Sequence, residues 1–316
     1  MFDIIGDIHG HATPLKQLLI QLGYQYDGNS YRNPQRKVIF LGDYIDRGPD
    51  QVEVYRIVRA MVDADQAIAI MGNHELNAVL WTMKSPSNPD QFLRPHTTHN
   101  RKQHDAFLQQ VGENSDLHAE IIEWFRTLPL CYENNDFRAV HAYWNTEALE
   151  YLKQQDFIDS QYRISNADAW KIIGTRGSQP YLWVEQLLKG IELPLPEGVS
   201  FFDKDGKQRF EVRVRWWLSM EFSSFAEVAL LDWQIAAQLE HITTPVFSRY
   251  EDEKLLFIGH YWMTGHPERL SPYVACLDFS IGKAKINDSK LGAYRYHNEK
   301  QLNNNHFSFV VFEGEN

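Results

Sequence analysis

Val38-Ile39-Phe40-Leu41-Gly42-Asp43-Tyr44-Ile45-Asp46-Arg47-Gly48 is an apolar run that stops at a glycine and passes at once into two carboxylates and an arginine. Four apolar residues ended by a turn residue read as a buried strand. The next segment, Gln51 to Ala64, sets Val54, Ile57, Val58 and Met61 on one helical face. The same unit stands on both sides. Upstream, Phe2-Asp3-Ile4-Ile5 enters Gly6-Asp7-Ile8-His9-Gly10, and Leu15, Leu18, Leu19 and Leu22 mark a helix. Thr13-Pro14 is the expected cap and first turn of that helix, and Gly23 its stop. Downstream, Ala67 to Met71 enters Gly72-Asn73-His74-Glu75, with a helical pattern over Leu76 to Leu80. Strands alternating with helices predict an α/β fold with a parallel sheet component.

Two later apolar runs end on single histidines. Arg138-Ala139-Val140 stops at His141, and Leu255 to Ile258 stops at Gly259-His260. The five strand ends together carry Asp7, His9, Asp43, Asn73, His141 and His260. An oxygen and imidazole donor set without cysteine suits Mn, Fe, Zn, Co or Ni better than Mg or Ca; Mn is expected. We assign Asp43 as the bridging carboxylate. Asp7, His9 and Asp43 would hold one ion, and Asp43, Asn73, His141 and His260 the other. Two such ions about 3.5–4 Å apart generate hydroxide near neutral pH and offset charge on a transferring phosphoryl group.

The rest of the 316-residue chain bounds the reading. A net charge of −11 argues against a broad grip on nucleic acid or an anionic membrane. Two cysteines, Cys131 and Cys276, form no disulfide framework. A strand from residue 2 leaves no space for a signal peptide, and no apolar run nears the roughly 20 residues of a membrane span. The expectation is a cytoplasmic protein. A single domain over 1–316 is expected, with excursions at about 84–118 and 145–250 that wall the site. In the first, His96, His99, His104 and His118 read as solvated loop histidines, and His11 as an exposed residue at a helix start. In the second, Trp170 to Ile173 and Leu182 to Leu188 look helical, Asp203 to Gly206 a turn, and Phe210 to Trp216 a strand with Arg213 and Arg215 on one face. Tyr273 to Leu277 and Phe307 to Phe312 read as strands completing a second sheet. Glu75 is expected to hold a backbone group or a ligand rather than to act on substrate.

Gly6-Asp7-x-His9-Gly10, Gly42-Asp43-x-x-Asp46-Arg47-Gly48 and Gly72-Asn73-His74-Glu75, followed by His141 and His260, resemble the calcineurin-like metallophosphoesterases. With Asp46-Arg47-Gly48 present, the chain is most similar to their phosphoprotein phosphatase branch. The resemblance implies a four-layer α-β-β-α sandwich with the dimetal site at the strand ends. It implies that His74 is the general acid, that Asp46 orients and charges it, and that Arg47, Asn73 and His74 contact phosphate. It also implies a second phosphate-binding arginine, for which Arg213 is the candidate and Arg215 the reserve. His141 is followed by Ala142-Tyr143-Trp144 rather than two glycines and Ser-Pro, which points to a prokaryotic-type member. The expected activity is hydrolysis of phosphate monoesters, phosphoprotein or small molecule, through a hydroxide bridging two metals. The alternative is a dinucleoside polyphosphate hydrolase, and a non-catalytic phosphate-binding scaffold ranks below both.

Overall fold

A computed structural model describes residues 1–202, 208–218, 224–231, 233–244, 247, 249–283 and 289–312. All five apolar runs are strands, Phe2–Ile5, Lys37–Phe40, Ala67–Ala69, Phe137–Val140 and Leu255–Ile258. They divide between two sheets. In the first, Phe2–Ile5, Lys37–Phe40 and Ala67–Ala69 run parallel, and Lys290–Tyr296 joins antiparallel beside Phe2–Ile5. In the second, Phe137–Val140, Leu255–Ile258 and Val274–Cys276 run parallel, with Cys131–Glu133 antiparallel at the edge.

Strand alternation builds the layers. Ile4, Ile39, Phe137, Phe257 and Tyr294 meet between the sheets in one apolar cluster. Their neighbours Ile5, Val38 and Phe40 join Leu15, Leu18, Val54 and Val58 in the helix-side core. The helices Ala12–Gln21, Gln51–Asp63 and Asn73–Thr82 sit where the periodicity puts them. This is the layered α/β sandwich that the resemblance implies. Among the described residues no helix is long and apolar enough to cross a membrane.

Several local expectations change. The first helix begins at Ala12 with His11 as its cap position, two residues before Pro14. The two closing strands separate: Val274–Cys276 enters the second sheet, whereas Phe307–Val311 pairs with Lys290–Tyr296 in the first. Lys290–Tyr296 itself went unread, because both its faces are buried and it shows no alternation. The polar 84–118 segment contains a fourteen-residue helix, Thr98–Val111. The strand expected over Phe210 to Trp216 is only Glu211–Arg213, paired with Glu192–Pro194. The turn expected at Asp203 to Gly206 lies outside the described residues.

Candidate dimetal active site

Four of the strand ends converge through backbone contacts. The His9 N–H donates to the Asp43 carbonyl at 2.8 Å, and the Gly259 N–H to the His141 carbonyl at 2.8 Å. Gly259 has no room for a side chain: a Cβ there would lie 2.1 Å from Asp7 Oδ1. His9, Asp43, Asp46, Arg47 and His260 all have φ between 48° and 74°. Non-glycine residues held in the left-handed region cost about 1–3 kcal/mol each, and such strain concentrates at functional sites.

Asp43 Oδ2 is the hub. His141 Nε2 lies 3.4 Å from it, His9 Nε2 3.6 Å and His74 Nε2 3.8 Å. Two triads of close ligand atoms result, His9–Asp43–His74 and Asp43–His141–His260, sharing that carboxylate. The ring orientations are set from behind. His9 Nδ1 donates to the Ile45 carbonyl at 3.0 Å, and His141 Nδ1 to the Leu41 carbonyl at 2.7 Å. Each bond leaves Nε2 to face the centre, the arrangement in which a histidine binds a metal. Among the described residues, the buried Nε2 atoms of His9 and His260 have no hydrogen-bond partner. Asn73 Oδ1 completes this side, 3.2 Å from His141 Nε2.

Asp7 is placed differently from the others. It is buried and both its oxygens lie 3.1 Å from the His260 N–H, so it fixes the backbone that carries a second candidate ligand. It stands outside both close triads. Burial, then the charge of Asp278, pushes its pKa well up. Around the hub the signs reverse: burial opposes charge on His141, but Asp43 and Asp7 outweigh it and lift its pKa to about 10. Burial instead holds His9 down at about 3, against the pull of Asp43. A buried carboxylate centre that draws protons onto one ring, beside two rings with unpaired nitrogens, fits divalent cations that replace those protons.

Glu75 takes the supporting place expected of it. It accepts the backbone N–H groups of Asp43, Tyr44 and Gly72 at 2.8–3.0 Å, tying two strand ends together. Burial, then repulsion from Asp43, raises its pKa to about 7. His74 Nδ1 lies 2.5 Å from Asp46 Oδ2, which leaves Nε2 toward the hub. Exposed Arg47 lays its guanidinium 4.5 Å from the Trp262 ring centre, on which Lys283 also rests at 3.8 Å.

The two candidate arginines separate. Arg213 donates to Glu192 at 3.0 Å; burial, then the charge of Arg213, holds the pKa of His260 well down. Arg215 donates to the Glu227 carbonyl and lines a separate cavity with Ser224 and His241. His11 is buried rather than exposed and packs edge-on against Phe312 at 4.9 Å.

Of the four histidines read as solvated, His96 and His99 are exposed, but His104 and His118 are buried. His104 reaches the site: its Nδ1 lies 2.8 Å from Asp46 Oδ1. A signal existed, because His104, Phe107, Leu108 and Val111 share one helical face and all are buried. The nearby prolines at 86, 89 and 95 suggested a loop instead. Asp278 was also missed. It is buried and accepts the N–H groups of Trp262 and Ser280 at 2.8 and 2.9 Å, bracing the turn after His260.

An asymmetrical bis(5'-nucleosyl)-tetraphosphatase PrpE from Halalkalibacterium halodurans is 46% identical over 74 residues, 23% of this chain and 30% of that protein. The chain thus spans less than a third of the PrpE relatives it first matches. A symmetrical bis(5'-nucleosyl)-tetraphosphatase from Aromatoleum aromaticum is 36% identical over 217 residues, 66% of this chain and 70% of that protein. Among solved structures, a mutant of a cold-active protein tyrosine phosphatase superposes over 99% of this chain and 78% of that one, with TM-score 0.52 and 16% identity. The model of the calcineurin-like phosphoesterases matches residues 1–206. The chain belongs to the calcineurin-like phosphoesterase family.

Proposed function

We propose that the chain hydrolyses dinucleoside polyphosphates of the bis(5'-nucleosyl)-tetraphosphate class. The observation that carries this reading is the likeness to the Aromatoleum aromaticum enzyme. It extends over 217 residues, far beyond the 6–75 stretch that holds the three N-terminal motifs. This reverses the order reached from sequence, where a broad phosphomonoesterase led. We keep the chain in the phosphoprotein phosphatase branch on Asp46-Arg47-Gly48, and in its prokaryotic part on Ala142-Tyr143-Trp144 after His141.

In this reading Asp7, His9 and Asp43 would hold one divalent cation, with Asp7 set back from the close triad, and Asp43, Asn73, His141 and His260 would hold the other, with Mn the first choice. When bound, the two cations supply an activated water and offset the negative charge of the phosphate chain. The chain's own residues do the rest. Arg47, steadied on Trp262, forks onto non-bridging phosphate oxygens. Arg213 supplies a second positive charge, felt at His260. His74 gives its Nε2 proton to the leaving oxygen. Burial opposes a charge on His74, but Asp43 and Asp46 outweigh it and hold its pKa above the ordinary value, as a proton donor requires. We take the chain as one domain over 1–316, whose 84–118 excursion carries His104, bonded to Asp46, and whose 145–250 excursion carries Arg213.

One preparation loaded with Mn decides between the substrates. Turnover of diadenosine tetraphosphate, nitrophenyl phosphate and a phosphopeptide is measured side by side, with products separated by chromatography. The dinucleotide should show the highest kcat/KM. A preference for either monoester returns the function to a phosphomonoesterase, and no turnover with both metals bound makes the chain a scaffold.

A further inference from the structure

The acid pair His74–Asp46 has a third member. Asp46 is buried, and its two carboxylate oxygens are divided between two rings: Oδ2 meets His74 Nδ1, and Oδ1 meets His104 Nδ1. His104 comes from the Thr98–Val111 helix, thirty residues beyond His74, and is 4% exposed. Its ring stacks on Phe107 at 4.9 Å and tilts against Trp81 at 5.7 Å. Trp81 lies on the Asn73–Thr82 helix that carries His74, so the two histidines are packed into one frame. Among the described residues His104 Nε2 has no partner and is buried. The tautomer that satisfies the network therefore carries its proton on Nδ1 and donates it to Asp46.

A carboxylate gripped at one oxygen only can rotate about its last bond and exchange oxygens. Gripped at both, it presents Oδ2 to His74 in one orientation, and His74 Nε2 then faces the centre in one direction. We propose that His104 is a positioning residue for the general acid: it locks the Asp46 carboxylate, and through it the His74 ring. The proposal rests on the reading of His74 as the acid. Partners one step behind a reacting group typically cost about 10- to 100-fold in activity when removed. Because His104 touches neither substrate nor cation, its loss should fall on kcat and leave KM and metal content unchanged.

The test uses the full chain loaded with Mn and whichever substrate it turns over best. His104→Phe keeps the ring packing on Phe107 and Trp81 but removes the donor, and should lower kcat roughly 10- to 100-fold. His104→Asn sets an amide N–H near the place of Nδ1 and should restore most of that loss, whereas His104→Gln puts its N–H near the place of Nε2 and should not. In a His74→Asn background, His104→Phe should add less than about a twofold further loss, because residues acting as a unit are not additive. Unchanged kcat in His104→Phe, or the same fold-loss in both backgrounds, overturns the proposal. If His104→Phe does not fold, equal kcat for the Asn and Gln variants overturns it instead. Should His74→Asn itself leave kcat intact, the acid reading fails first, which separates the two failures.

Discussion

Two residues of the centre make opposite demands on a mutation. His74 has its Nδ1 held by Asp46 and its Nε2 turned to the hub, and the proposal gives it the work of a proton donor. His74→Asn should cut kcat by about 10²–10⁴, the usual worth of a positioned acid, while metal content by atomic absorption stays at the wild-type level; a kcat within a fewfold of wild type refutes the assignment. Asp43 has three imidazole nitrogens within 3.4–3.8 Å of one oxygen, so its work is charge at a shared point. Asp43→Asn removes that charge, and bound metal should fall for both sites together. Retention of two ions per chain would contradict the bridging role.

At the scale of elements, the start of the first helix carries a pH-sensitive contact. Burial pushes the pKa of His11 from 6.5 down to about 4, with Asp50 only partly opposing. The unfolded chain therefore takes up a proton between pH 6.5 and about 4 that the folded chain excludes. The stability this residue contributes is complete above pH 6.5 and is lost as pH falls toward 4. One such proton is worth up to about 1.4 kcal/mol per pH unit across that window. His11→Phe should flatten the urea midpoint against pH by that share, and an unaltered acid limb would show that His11 titrates normally. A second element, the turn after Lys37–Phe40, depends on a bare backbone. Gly42 has φ +96°, and a Cβ there would lie 2.4 Å from the Gly72 nitrogen. Gly42→Ala should cost about 1–3 kcal/mol for the backbone alone, read as a lower urea midpoint.

Over the whole molecule, the two sheets meet at a site whose candidate ligands come from both. Asp7, Asp43 and Asn73 follow strands of the first sheet, whereas His141 and His260 follow strands of the second. Cations that bind only the assembled sandwich stabilise it by mass action. Free Mn at about 100 times its dissociation constant should add about 2.7 kcal/mol, seen as a melting temperature that climbs with Mn concentration and falls back with chelator. A melting temperature indifferent to Mn would mean that the donors do not converge on a cation in the folded state.

The sequence by itself determined what local patterning can specify. Apolar runs, turn glycines and the i, i+3, i+4 rhythm depend on near neighbours, so all five strand ends were legible in the chain. The side of a helix that is buried was legible too, had the face of His104, Phe107, Leu108 and Val111 been weighed above the prolines before it. Only the tertiary structure decided which partners those faces meet. Asp46 Oδ1 finds His104 across 58 residues, His141 Nδ1 finds the Leu41 carbonyl across 100, and the His260 N–H finds Asp7 across 253. Contacts at such separation leave no periodicity to read, because they exist only after two sheets and a helix have packed. Arg213 and Arg215 show the same limit: two residues apart in sequence, they are parted by where the Glu211–Arg213 strand stops.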